Sequence, residues 1–232
     1  MKYAVDVQEM KHYEETVIDT MGVPALVLME RAAMAVAEEI RQWAEAEDLR
    51  SADKKILVVA GCGNNGADGL AVARILSMEG WRVTVYQTGP SSHSTREWER
   101  QYKIIGYYPV RMVSNWPQEE YTIIVDAFFG IGLSRQIQGE YAQIVRELNR
   151  RTGYKLAVDV PSGVHAQTGK IMGEAVKADK TVTFGWAKKG LLCYPGAEYA
   201  GDVAVRDIGI NATCFEAAGK KPAMFYYDEP VI

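Results

Sequence analysis

Three short segments set oxygen-bearing side chains among glycines. They are Gly61-Cys62-Gly63-Asn64-Asn65-Gly66-Ala67-Asp68-Gly69, Asp126-Ala127-Phe128-Phe129-Gly130-Ile131-Gly132-Leu133 and Asp159-Val160-Pro161-Ser162-Gly163. The first contains Gly-x-Gly-x-x-Gly (Gly61, Gly63, Gly66), a spacing that lets backbone amides approach a phosphate at a helix N-terminus. A dehydrogenase of the ordinary nicotinamide type would also need an acidic residue about 20 positions on, to hold the ribose hydroxyls. The chain offers Tyr86-Gln87-Thr88-Gly89 there, without a carboxylate. Asp126 and Asp159 each follow an apolar run directly, so each carboxylate should emerge where a strand ends. One such aspartate can simply cap a turn; two, each with a glycine-bearing turn, point to a shared pocket. Carboxylate, amide and hydroxyl oxygens from Asp126, Asn65 and Ser162 are also what a hard cation takes.

Other chemistries lack their residues. There is no Gly-x-x-x-x-Gly-Lys-Ser/Thr loop and no Gly-x-Ser-x-Gly elbow. His12, His93 and His165 lack ligand spacing and read as surface or turn residues. Cys62 has no histidine placed to activate it and reads as a small loop-filling residue.

The elements that must carry these segments alternate in type. Lys55 to Ala60, Trp81 to Tyr86, Tyr121 to Asp126 and Lys155 to Asp159 read as buried strands. Lys180 to Phe184 and Asp202 to Val205 supply two more. Helices are predicted over Leu70 to Met78, Ser94 to Ile105 and Tyr141 to Arg150. The first 48 residues read as helix, with Leu28, Met29, Ala32, Val36, Ile40 and Trp43 on one face. This alternation predicts an α/β fold, a doubly wound, mostly parallel Rossmann-like sheet. Residues 1–232 are expected to form one domain, with 1–50 as its helical extension.

Composition narrows the classes of function. A net charge of -4 over 232 residues gives no electrostatic case for nucleic acid or an anionic membrane. Cys62, Cys193 and Cys214 make neither a disulfide framework nor a zinc pattern, which suits a reducing cytosol. The polar start is no signal peptide, and no run approaches the length of a transmembrane helix. A cytoplasmic protein is expected.

Taken in order, these motifs resemble the NAD(P)H-hydrate epimerase family, also called the YjeF N-terminal domain. The resemblance begins with Gly22-Val23-Pro24 through Leu28-Met29-Glu30-Arg31-Ala32 and runs through the three segments above. It continues to Thr181-Val182-Thr183-Phe184-Gly185, Lys188 and Gly190-Leu191. It implies interconversion of the R and S forms of hydrated NADH and NADPH (NADHX and NADPHX). An ADP- or ATP-dependent dehydratase would act next in the repair, and the chain, ending at Pro230-Val231-Ile232, is expected to lack it. The resemblance also implies that Asn64, Asn65, Gly66, Ala67 and Asp68 contact the dinucleotide, with Gly130, Ile131, Gly132, Leu133, Ser134, Arg135 and Gln136. Asn65, Asp126 and Ser162 would hold a potassium ion, Asp159 would face the substrate, and a homodimer would form through the N-terminal helices. On this basis Asp159 is expected to act as general acid and base, with Lys188 adding electrostatic stabilisation. The competing readings are a dehydrogenase and a non-catalytic binding module of the same fold; keeping Asn65, Asp126, Asp159 and Ser162 favours catalysis. Two departures stand out. Ala67 replaces a glycine of the family loop, so the backbone there must take an ordinary angle or carry strain, and its methyl could crowd a ligand. Ala187-Lys188-Lys189-Gly190-Leu191 departs from the family's Pro-Lys-Pro-Gly-Leu.

Overall fold

The structure, a computed structural model, describes residues 2–88, 94–211, 219 and 225–227. His93, Cys214 and the end of the chain at Pro230-Val231-Ile232 lie outside the described residues.

The chain opens with a strand, β1 (Lys2–Val5), where helix was predicted. Four residues are too few for a periodicity to show, and this strand exists through its partners elsewhere in the chain. Helix α1 (Val7–Glu15) starts at a reciprocal cap: the Glu9 amide donates to the Asp6 carboxylate at 2.8 Å, and the Asp6 amide to the Glu9 carboxylate at 2.9 Å. A wider turn, Thr16–Thr20, carries it to Gly22, and α2 (Ala25–Ala46) follows. As its apolar spacing requires, α2 buries Leu28, Met29, Ala32, Val36 and Ile40.

The alternating elements then follow: β2 (Lys55–Ala60), α3 (Asn64–Met78), β3 (Arg82–Gln87), α4 (Arg96–Ile105) and β4 (Val110–Val113). After them come β5 (Ile123–Ala127), α5 (Gly139–Arg150), β6 (Tyr154–Val158), β7 (Lys180–Phe184), β8 (Ala187–Lys188), α6 (Gly196–Ala200), β9 (Asp202–Arg206) and β10 (Phe225–Tyr227). Seven strands form one sheet in the order β4-β3-β2-β5-β6-β7-β9, and every pairing in it is parallel. From β2 the chain steps outward to β3 and β4, then returns to lay β5 on the other side of β2. That reversal leaves a crevice beyond the carboxyl ends of β2 and β5, the place where such sheets bind ligands. A second sheet, β10-β1-β8, stands apart from the first. Neither β4 nor this small sheet was predicted: all four strands are two to four residues long, too short for a pattern.

Period-two alternation builds a core on each face of the large sheet. Ile56 and Val58 of β2 pack with Leu28, Val36 and Ile40 of α2 and Leu70 and Leu76 of α3. Leu57 and Val59 turn the other way, into a core with Val145 and Leu148 of α5. Each such burial stabilises the fold by about 1.5–3 kcal/mol, which fixes the strand ends that hold the three glycine-bearing segments.

One charge locks α2 to the far half of the sheet. Glu39, 2% exposed, accepts from Lys180 of β7 at 2.7 Å and is paired with Arg206 of β9. Glu39→Ala is expected to cost about 2–3 kcal/mol, below the usual range for breaking a buried pair, because both cations can turn to water. The shift of the denaturant midpoint measures it; a loss under 0.5 kcal/mol, the scale of ordinary surface changes, would contradict the role given to Glu39.

Candidate active site

The first glycine segment is more helical than its composition suggests. Helix α3 begins at Asn64, with Gly63 as its cap, six residues before the Leu70 start expected from the apolar pattern. Asparagine and glycine are poor helix formers, and what holds them helical here is tight packing. A β-carbon on Gly66 would sit 1.9 Å from the Gly61 carbonyl oxygen, and one on Gly69 would sit 2.5 Å from the Ala127 β-carbon. The helix N-terminus is therefore pressed against the ends of β2 and β5, with its free amides facing the crevice. Ala67 lies inside this helix without a positive φ, and its side chain is buried in the core below. The departure from glycine at that position thus carries neither strain nor a methyl group in the ligand's way.

Under the crevice, Asp126 is fully buried. Its Oδ2 accepts from the Ser162 amide at 2.8 Å, and its Oδ1 from the Ser162 hydroxyl at 2.6 Å and the Phe128 amide at 3.3 Å. The Ser162 oxygen in turn accepts from the Phe129 amide at 2.8 Å, so one hydroxyl ties the ends of β5 and β6 together. Burial pushes the Asp126 carboxyl up to about 6, against the lowering effect of its bonds from Ser162 and Phe128. In the first turn of α3, Asn65 has both amide atoms buried and without a hydrogen-bond partner among the described residues. Gly130 leaves room for that amide: a β-carbon there would lie 3.1 Å from the Asn65 side chain. A buried amide left unmatched costs free energy and marks a place where something else completes the shell.

Asp159 holds a backbone φ of 66°, in the left-handed region that few non-glycine residues enter. Aspartate tolerates it better than most, and strain of this kind gathers at functional sites. Lys188, 1% exposed, donates from Nζ to Asp159 Oδ1 at 2.5 Å, to Thr183 Oγ1 at 2.9 Å and to the Phe184 carbonyl at 2.9 Å. The Thr183 hydroxyl donates to the same Asp159 oxygen at 3.0 Å. The ammonium thus has three acceptors, which makes its burial tolerable, and the carboxylate is oriented by two donors.

These groups open onto a cavity of about 950 Å³, large enough for a dinucleotide. Of the residues singled out in the sequence, Asn64, Asn65, Asp68, residues 130–136, Asp159 and Lys188 line it. Gly66 and Ala67 are buried behind its wall, and Asp126 and Ser162 lie beneath its floor. Cys62 also lines the cavity, but its thiol donates to the Thr88 carbonyl at 3.2 Å and burial pushes its ionisation up, as suits an inert residue.

The sequence reading missed a contribution from α1, whose Lys11 and Glu14 reach the same cavity. In sequence they look like ordinary surface charges of an amphipathic helix. Asp68 keeps a little of its surface open to the cavity while protein surrounds the carboxyl closely. Burial, then Asp159 and Glu14, push it well above the usual carboxylate range, with Lys188 acting the other way. Glu14 is pushed up by burial and by Asp159, again opposed by Lys188. Among the described residues no three His, Cys, Asp or Glu side chains gather in a way that could hold a metal ion.

Comparison with known proteins places this arrangement. Residues 25–190 match the family described as YjeF-related protein N-terminus. A protein of Limosilactobacillus reuteri (strain DSM 20016) named NAD(P)H-hydrate epimerase is 44% identical over 210 residues, covering 90% of this chain and 97% of its own. One of the same name from Levilactobacillus brevis is 40% identical over 213 residues, with 91% and 96% covered. A crystal structure of a yeast protein superposes with a TM-score of 0.75 at 23% identity, covering 99% of this chain and 98% of that one. It carries the same fold.

Proposed function

The chain belongs to the family of YjeF-related protein N-termini, and from that premise we propose that its cavity binds hydrated NADH or NADPH and that Asp159 and Lys188 invert it. The enzyme is an isomerase, an NAD(P)H-hydrate epimerase. The observation that supports the residue assignment is the Lys188–Asp159 pair, 2.5 Å apart and facing the cavity.

The substrate's reactive carbon bears a hydroxyl beside the ring nitrogen. Inverting it requires the oxygen to leave and another to add on the opposite face, with a proton delivered and a proton removed. Asp159 faces the reacting oxygen and takes up the proton that is removed. Lys188 and Thr183 hold its carboxylate in one orientation, and the ammonium offsets charge as the oxygen gains or loses its proton. The amides at the start of α3, with residues 130–136, grip the diphosphate and fix the ring over Asp159.

The same residues suit a potassium ion. Asn65 has an orphaned buried amide, Asp126 a buried carboxylate and Ser162 a hydroxyl bonded to that carboxylate. This is a mainly neutral oxygen set, appropriate to a weakly charged cation. When bound, the ion offsets phosphate charge and ties the three loops together. Potassium is expected to raise the thermal midpoint of the wild type more than sodium does, and Asn65→Ala is expected to abolish that difference. Thermal unfolding in the two salts measures it; an unchanged difference in Asn65→Ala would remove Asn65 from the cation's shell.

We place the enzyme in the cytoplasm, as a homodimer through its N-terminal helices, upstream of a dehydratase that consumes the S form. Among the described residues no helix is long and apolar enough to cross a membrane. The test of function is a chromatographic assay of pure R-NADHX with and without potassium. Appearance of the S form well above the spontaneous rate is expected. No acceleration by folded protein would leave a non-catalytic binding module of the same fold.

A further inference from the structure

Two faces of one carbon must be served, and the Asp159–Lys188 pair is one group. Inversion breaks the C–O bond with its electron pair leaving on oxygen, and a proton from an acid turns that oxygen into water. A ring carbon–nitrogen double bond carrying the positive charge remains. Water then adds to the other face, its oxygen supplying the electron pair of the new C–O bond, and its surplus proton passes to a base. Atoms and charge balance with one acid and one base, and neither oxidant nor reductant takes part. Asp159, paired with a buried ammonium, is suited to accept a proton. The group that donates one has to come from elsewhere in the cavity.

We propose that Asp68 is the second catalytic acid–base group of this site and that Glu14 is a positioning residue acting through it. The assignment rests on the epimerase reading above. Asp68 stands on α3, directly after the amides that face the crevice, and it lines the cavity together with Asp159 and Lys188. Glu14 comes to the same cavity from α1, an element remote in sequence from the other three. Neither carboxyl is engaged by a hydrogen bond or ion pair among the described residues. Each is therefore available to a ligand, whereas both oxygens of Asp126 and Oδ1 of Asp159 are occupied by protein donors. The charged groups acting on Asp68 are Asp159 at the end of β6, Glu14 of α1 and Lys188 of β8. Glu14 itself feels Asp159, Lys188, Glu15 and Lys11. Close burial, then the carboxylates of Asp159 and Glu14, against one ammonium already given to Asp159, push Asp68 well above the usual carboxylate range and favour its protonated form. A carboxyl that keeps its proton, on α3, and a carboxylate ion-paired with Lys188, at the end of β6, divide naturally into the acid and the base of one reaction.

The test is the pH profile of kcat/KM for R-NADHX conversion by wild type, Asp68→Asn and Glu14→Gln. The wild type is expected to lose activity on the alkaline side as Asp68 loses its proton. Asp68→Asn is expected to fall by at least roughly 100-fold, with the alkaline limb gone, while still binding NADPH and keeping its fold by circular dichroism. Glu14→Gln removes a negative neighbour, so Asp68 gives up its proton more easily and the alkaline limb moves to lower pH. A merely structural glutamate would lower the rate at every pH and leave the limb in place. A folded Asp68→Asn enzyme with wild-type rate and profile would overturn the assignment. So would an unmoved limb in Glu14→Gln, which decides the matter alone if Asp68→Asn does not fold. An inactive wild type would overturn the epimerase reading and this inference with it.

Discussion

Asp159→Asn is expected to lower kcat/KM for R-to-S conversion by roughly 10²–10⁴-fold, the range that a positioned acid–base group contributes. The amide keeps the shape and can still accept from Thr183, so loss of the proton-exchanging group is separated from loss of geometry. Stability must be measured alongside. Lys188 is buried and, among the described residues, takes Asp159 as its only acidic partner, so the substitution strands an ammonium with two neutral acceptors. Breaking a buried pair from one side costs about 3–5 kcal/mol. The double variant Asp159→Asn with Lys188→Met removes the stranded charge and is expected to regain most of that stability without regaining activity. Urea unfolding with the chromatographic assay distinguishes the two effects. An active, folded Asp159→Asn enzyme would take the chemistry away from this residue.

The second large effect concerns the glycine segment. Gly66→Ala is expected to destabilise the fold by about 3 kcal/mol or more, at or beyond the top of the usual overpacking range. Its β-carbon would meet the Gly61 carbonyl oxygen at 1.9 Å, and neither backbone can move without displacing the start of α3. Asn65 and Asp68 flank the position, so substrate binding falls with stability. Gly61→Ala meets a similar obstacle, the Phe128 carbonyl oxygen at 2.2 Å. Gly63→Ala meets nothing within 4 Å and takes an extended backbone angle, so it is expected to stay within about 0.5 kcal/mol of wild type. Thermal and urea unfolding of the three variants tests this ordering. A tolerated Gly66→Ala would mean that α3 is not pressed on the strand ends as described.

The large sheet was legible because its strands are near-continuous apolar runs, as strands covered on both faces must be. Asp126 and Asp159 were legible as strand-end residues for the same reason: they are the first polar side chains after such runs. The N-terminal boundary of α3 was not. Gly63, Asn64, Asn65 and Gly66 have loop chemistry, and only packing against Gly61 and Ala127 makes their segment helical. Lys188 entered through family resemblance alone, since nothing near Ala187-Lys188-Lys189 announces a buried ammonium. Its partnership with Asp159 joins positions far apart in sequence and has no local signature. Glu14 was hidden differently, because a glutamate on an amphipathic helix looks like a solvated charge until the helix is docked. The small sheet β10-β1-β8 was invisible, each strand being too short to show an alternation.

That small sheet has a temporal meaning for the enzyme. Lys188 sits on a strand of two residues whose parallel partner is β1, with Val5 opposite Lys188 and Ala4 opposite Ala187. During synthesis β1 is made first and must wait until nearly the whole of the large sheet has emerged before β8 arrives to join it. Closing so long a loop draws on contacts already formed elsewhere, and it cannot lead the folding process. A nascent chain can therefore own the start of α3 and the oxygens at the ends of β5 and β6 while lacking a settled ammonium beside Asp159. Catalytic competence is among the last properties such a chain acquires, and a partly folded one has a place to hold the dinucleotide before it has the means to change it.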